Sequence, residues 1–311
     1  MFGASLLDVA LMVGGGGPIL HNLAPAGCSM GTSGPWLTTV DRMTHALTVD
    51  APALFVPEGE TMVPTDLARG PWSPGALHGG PVAALVARAT EAHGADDGLQ
   101  LARITLELLR PVPLAPLRTR SVLVRPGRKV QLIDTVVEAD GVEVAWSRGL
   151  RIRVASDQVT LTPTVAEDEA PPPPVEGEIS TPMSDDFVAF HNAGMEMRFV
   201  SGRFDQPGPA LVWFRLRCPV VAGEAPSPWQ RAVAAADFGN GVAAELPFAG
   251  SLFINPDLTI QLHRPPVGEW ICLDARTRFG TPGVGSAESA LWDERGRIGR
   301  SIQSLLIETA T

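Results

Sequence analysis

Ile104-Thr-Leu-Glu-Leu-Leu-Arg110-Pro111-Val-Pro113 returns 154 residues later as Leu258-Thr-Ile-Gln-Leu-His-Arg264-Pro265-Pro266. Both are strand-like runs that stop at an Arg-Pro step, where the missing proline N–H ends ladder pairing without loss. Asp140-Gly141 and Arg295-Gly296, 155 residues apart, each lie in a turn between two further strand-like runs. Two features at nearly one offset point to internal duplication. Within each half an alanine-rich helical segment, Pro81–Arg88 or Trp229–Ala236, precedes several strand-like runs joined by Pro/Gly turns. The run Ile271, Leu273, Ala275, Thr277, Phe279 alternates with Cys272, Asp274, Arg276, Arg278, the period of a strand covered on one face. One helix laid on an antiparallel sheet, an α+β arrangement, is the expectation for each half.

Two stretches lack periodicity. Residues 1–43 carry Gly14 to Gly17, Pro18, Pro25 and Gly34-Pro35, and read as a poorly ordered extension. Residues 157–182 hold Glu167-Asp-Glu169 and Pro171 to Pro174, a composition that favours extended polyproline II and reads as an interdomain linker. The expected domains are therefore 44–156 and 183–311, and a chain of 311 residues with 45% apolar and 19% charged residues has material for two cores.

Composition excludes several functions. A net charge of −10 leaves no basic excess for nucleic acid. Cys28, Cys218 and Cys272 are odd in number and widely spaced, which implies neither a disulfide framework nor a zinc site and fits a reducing cytoplasm. The apolar start has no basic region before it and runs into Gly14, unlike a signal peptide, and no apolar run reaches the roughly 20 residues of a membrane span. The six histidines show no ligand spacing, and neither phosphate-cradling Gly loops nor a Gly-x-Ser-x-Gly elbow occurs, so no metal, cofactor or nucleophilic serine is expected.

A few polar groups stand where apolar ones would pack. Asp237 ends the alanine-rich second helix and opens Asp237-Phe-Gly-Asn-Gly241, where it is costly to bury unless paired or used. Gln303 shares the face of Leu305 and Ile307 on a terminal strand and needs a partner. Gly79-Gly80, entering the first helix after His78, would let backbone N–H groups approach a ligand carbonyl or phosphate. His263, Arg264 and Glu269 flank a turn and read as a solvated edge.

Together these segments resemble the double-hotdog acyl-CoA thioesterases, the type II thioesterase family, over about residues 44 to 308. The resemblance rests on Gly70-Pro-Trp72 with Leu77-His-Gly-Gly80, Leu108-Leu-Arg-Pro111, Asp237-Phe-Gly-Asn-Gly241, His263-Arg-Pro265 with Glu269-Trp270, and Ser301-Ile-Gln303. It implies two tandem hotdog domains whose sheets join edge to edge, and hydrolysis of a fatty acyl-CoA by water held between an Asp, a Thr and a Gln. Asp237 and Gln303 match the first and third positions; Asn255 stands at the Thr position. Gly79 and Gly80 would stabilise the oxyanion. The implied partner is an acyl-CoA, and a homo-oligomer stays open. The alternatives are a non-catalytic acyl-CoA or lipid-binding hotdog protein and a hotdog hydratase or dehydratase, which needs an Asp/His pair that the Asp237 segment lacks.

Overall fold

The computed structural model describes residues 52–93, 98–154, 170–180, 187–248 and 250–309. The expected extension 1–43 lies outside them, as do 155–169 and 181–186 of the region around the expected linker. In chain order the strands are β1 (Phe55–Glu58), β2 (Thr61–Pro64), β3 (Leu99–Leu108), β4 (Leu117–Arg125), β5 (Val130–Ala139), β6 (Val142–Arg153), β7 (Glu178–Ile179), β8 (Met195–Arg203), β9 (Gln206–Leu216), β10 (Ser251–Ile254), β11 (Asp257–Leu262), β12 (Ile271–Thr281), β13 (Val284–Asp293) and β14 (Gly296–Thr309). Three helices, α1 (Gly79–Glu91), α2 (Pro228–Ala236) and α3 (Gly239–Val242), accompany them.

All the strands join one antiparallel sheet in the order β1-β2-β4-β5-β6-β3-β11-β14-β13-β12-β9-β8-β7, with β10 set on β14. Leaving aside the two-residue β7 at one border and β10, the order is a palindrome: each half contributes a two-strand ribbon, then a three-strand meander, then one strand at the seam. At that seam the two copies of the repeated segment pair with each other, Ile104 opposite Ile260, Leu106 opposite Leu258 and Thr105 opposite Thr259. Arg110 and Arg264 each follow the end of a seam strand by two residues.

The sheet wraps the helices. His78 directly precedes α1 and Ser227 precedes α2; the Ser227 hydroxyl accepts the Gln230 N–H at 3.1 Å, with Pro228 at the first helical position where a missing N–H costs nothing. Alanine-rich faces let α1 and α2 lie close and antiparallel. Near one end Arg88 makes a two-pronged pair with Glu224 at 2.6 Å, and at the other His78 meets Asp237. Val82, Leu85 and Val86 of α1 and Val233 of α2 are fully buried against the concave side of the sheet.

Part of the stretch expected as linker is tied to the fold. Glu178 and Ile179 pair with Phe199 and Arg198 as the edge strand β7, and the Trp213 indole donates to the Pro172 carbonyl at 2.7 Å. Trp213, Cys272 and Trp292 lie side by side on β9, β12 and β13 as a small apolar cluster, and the two flanking indoles explain why Cys272 is buried on the side that strand alternation assigns to solvent.

Candidate active site

Asp237 caps the C-terminal end of α2, directly after Ala236, and is 5% exposed. Its carboxylate projects at the start of α1, so close to the Gly79 Cα that a Cβ there would stand 2.7 Å from both oxygens. Only glycine fits. Gly80 is confined in the same way by the Ala234 carbonyl and the Phe190 ring. The glycine pair therefore admits a carboxylate that the protein itself supplies, at a helix start that favours negative charge.

Three side chains hold that carboxylate. Asn255 Nδ2 donates to Oδ1 at 3.0 Å, Gln303 Nε2 lies 3.5 Å from Oδ1 and 3.2 Å from the Asp237 backbone carbonyl, and His78 Nδ1 is 2.8 Å from Oδ2. Gln303 is 1% exposed and is fixed at its other end, where Oε1 accepts the Asn240 N–H at 3.1 Å. Gly239 makes room for it, since a Cβ there would stand 2.9 Å from Oε1. Asn255 also donates to the Asp257 carbonyl at 3.2 Å, while its own Oδ1 has only a long 3.5 Å contact with Asn240 Nδ2. An acceptor thus remains beside the carboxylate.

His78 was not anticipated as a partner of Asp237. Its Nδ1 is 3.1 Å from the Gly80 N–H as well as 2.8 Å from Oδ2, and one ring nitrogen cannot accept the amide and donate to the carboxylate together. The shorter, charge-assisted contact places the proton on Nδ1 and leaves the Gly80 N–H without an acceptor. Packing fixes the imidazole: Phe238 and Phe190 have ring centroids 4.6 and 5.2 Å from it. Nearby His191 is buried, its Nδ1 has no hydrogen-bond partner, and burial first and the His78 charge second push its pKa down to about 4.

The structure brings together Asp237, Asn255, Gln303 and Gly79, with Gly80 on the adjoining turn. Arg264, expected on a solvated edge, instead makes a two-pronged pair with the fully buried Asp293 carboxylate at 2.5 and 2.7 Å, because the turn folds back over the end of β13. Among the described residues no group of acidic, His and Cys side chains could hold a metal ion, and no helix is long and apolar enough to cross a membrane.

Two family models match, the acyl-CoA thioesterase N-terminal domain over residues 68–152 and the acyl-CoA thioesterase C-terminal domain over residues 166–307. Similar solved structures include a candidate thioesterase II from Thermobifida fusca, with TM-score 0.64 and 19% identity over 85% of this chain and 98% of that one. A hot dog fold protein of unknown function from Alicyclobacillus acidocaldarius gives TM-score 0.61 and 16% identity over 82% and 95%. The tesB protein of Mycobacterium avium subs paratuberculosis gives 0.57 and 17% over 82% and 95%. A search of curated proteins finds no match. With a hotdog-type sheet and both domain models matched in order, the chain belongs to the acyl-CoA thioesterase family and is a thioester hydrolase.

Proposed function

We propose that the chain is a cytoplasmic double hotdog, with domains at 44–156 and 183–311, that hydrolyses an acyl-CoA to the free acid and CoA at Asp237. The palindromic strand order and the self-pairing repeat support the tandem reading. The observation that carries the chemistry is the Asp237 carboxylate, buried against the start of α1 and held by amide and imidazole donors. Asp237 takes a proton from water as it attacks the thioester carbonyl, and gives it to the CoA sulfur as the tetrahedral adduct collapses and the C–S bond breaks. The Asn255 carbonyl oxygen accepts the second water hydrogen, Gln303 keeps the carboxylate in place, and the Gly79 and Gly80 N–H groups, without intrahelical acceptors, receive the oxyanion. Asn255 replaces a hydroxyl with an amide that donates to the base and accepts from water at once. Free, buried Cys218 and Cys272 fit a reducing compartment.

The Asp237–His78 contact favours a second reading, addition of water to an α,β-unsaturated thioester, since the pair could act as base and acid. One experiment separates the readings. Purified protein is given saturated and unsaturated acyl-CoAs, with thiol release, loss of the enoyl absorbance and equilibrium binding followed in parallel. Thiol release is expected. Enoyl loss without thiol identifies a hydratase, and binding without either reaction identifies a carrier.

A further inference from the structure

Beside α3 lies a cavity of about 170 Å³, lined by Phe204, Gly241, Val242, Leu246 and Phe248 among others, with the exposed Arg203–Asp205 pair among its lining residues. Chain continuity ties it to the site described above. Asn240, whose N–H fixes Gln303, precedes Gly241, and the Asn240 side-chain amide reaches the Phe253 carbonyl at 3.5 Å. From Phe253 an aromatic wall continues to the cavity: ring centroids are 5.0 Å apart for Phe248–Phe253, 6.1 Å for Phe204–Phe248 and 5.6 Å for Trp72–Phe253. Trp72 is 41% exposed and sits on the loop that leads to His78. At Gly241 a Cβ would meet nothing within 4 Å, so this glycine borders open space rather than a crowded contact. A larger hollow of about 560 Å³, lined by Arg125, Arg128, Lys129 and Arg153, lies at the β4–β5 hairpin past the far end of α1, and its charge suits no acyl chain.

We propose that the cavity beside α3 receives the acyl group and limits it to one about the size of a benzene ring, so that the substrates are thioesters of compact aromatic acids. This rests on the thioesterase reading. An apolar cavity of about 150 Å³ holds benzene, whereas drug-sized ligands need roughly 300 Å³ or more. A long alkyl chain exceeds the volume, and the Phe204 and Phe248 rings in its lining suit offset or edge-on contact with another ring.

The test measures kcat/KM and equilibrium binding for acetyl-, phenylacetyl- and palmitoyl-CoA. The phenylacetyl thioester is expected to exceed the palmitoyl one at least tenfold. Gly241→Leu should lower the phenylacetyl-to-acetyl ratio about tenfold by filling the space, and Phe248→Ala should raise palmitoyl relative to phenylacetyl by opening it. Melting curves report whether each variant folds, and either one suffices. Palmitoyl turnover equal to phenylacetyl, or ratios that neither variant moves, overturns the pocket while the thioesterase reading stands. Absence of turnover for all three overturns the thioesterase reading, and the binding series then judges the pocket on its own: phenylacetyl-CoA tighter than palmitoyl-CoA supports it, and the reverse overturns it.

Discussion

The two antiparallel helices cross at two ends, and at each a carboxylate from the end of one helix meets the start of the other. At the first, Asp237 of α2 meets His78 and Gly79 of α1; at the second, Glu91 of α1 accepts the Ser227 hydroxyl at the start of α2 at 2.6 Å. Their surroundings differ. Gln303 stands 154 positions after Gly149, and where Gln303 reaches Asp237, Gly149 is pressed so close to Thr90 that a Cβ would stand 2.6 Å from its methyl. There the hydroxyls of Thr90, Thr135 and Ser121 bond to one another in a chain, with Thr90 and Ser121 also donating to backbone carbonyls, at 2.8 to 3.1 Å. A carboxylate at a helix end is thus not a site in itself. What distinguishes Asp237 is the set of amide groups, anchored from behind, that hold it and leave an acceptor facing the same space.

The sharpest way to break this contrast is to neutralise both carboxylates. Asp237→Asn should lower kcat/KM for acyl-CoA by roughly 10²- to 10⁴-fold, the scale for loss of a general base, while acyl-CoA binding survives. Glu91→Gln should change it less than about twofold. Equal losses would mean that both crossings act, or that neither does.

The repeated arginines allow a second comparison. Arg264→Leu strands the buried Asp293 carboxylate and should cost about 3 kcal/mol in urea unfolding, since the Val267 and Arg295 amides still hold it. Exposed Arg110, with no carboxylate partner among the described residues, should tolerate the same change within about 0.5 kcal/mol. Asp293 also gives the pair a pH signature. Burial raises its carboxyl, but the bonds from Arg264 and the two amides outweigh this and hold it below its ordinary value. A folded-state pKa below the unfolded one adds stability above about pH 4 that is lost as pH falls through the folded value, so Arg264→Leu should cost less in acid than at pH 7.

Smaller effects sharpen the roles inside the site. Asn255→Thr should keep or raise turnover, and Asn255→Ala should lower it by about tenfold, by removing a hydrogen bond to the charged base. Turnover undiminished in the Ala variant would remove Asn255 from the mechanism. The smallest change is expected at Glu91, whose carboxyl is raised chiefly by burial, against bonds from Ser227 and Gln230 and the charge of Arg231. A raised folded-state pKa favours the fold at low pH and loses that benefit as pH climbs. Melting temperatures of wild type and Glu91→Gln should therefore separate by a few °C at most, with the variant relatively better at pH 7 than at pH 4.

Much of this was legible in the chain. The Arg-Pro repeat marked the two strands that meet at the seam, and the polar misfits Asp237 and Gln303 pointed to the candidate site, because burial of such groups demands partners. His78 was read only as part of a glycine turn. It lies 159 residues before Asp237, and nothing local tells that α1 and α2 run antiparallel with their ends in register. The closest available signal was Gly79-Gly80 itself: consecutive glycines announce a close approach, and the visitor proved to be the chain's own carboxylate. Arg264 escaped for the same reason, since Asp293 reaches it through a fold-back that alternation along one strand does not encode.

The seam between β3 and β11 has a consequence for which strand edges the chain leaves open to other chains. A strand with one unpaired side invites other chains to add to it, and each half alone would present such a side along its longest-range pairing. Joined, the halves hide both. Of the remaining borders, one is the two-residue β7, and the other is β1, where Phe55 exchanges backbone bonds with Val220 and Ala222 at 2.9 Å. A proteolytic cut between the halves would therefore be harmless while they stay together and would create two mutually adhesive, aggregation-prone fragments once they part.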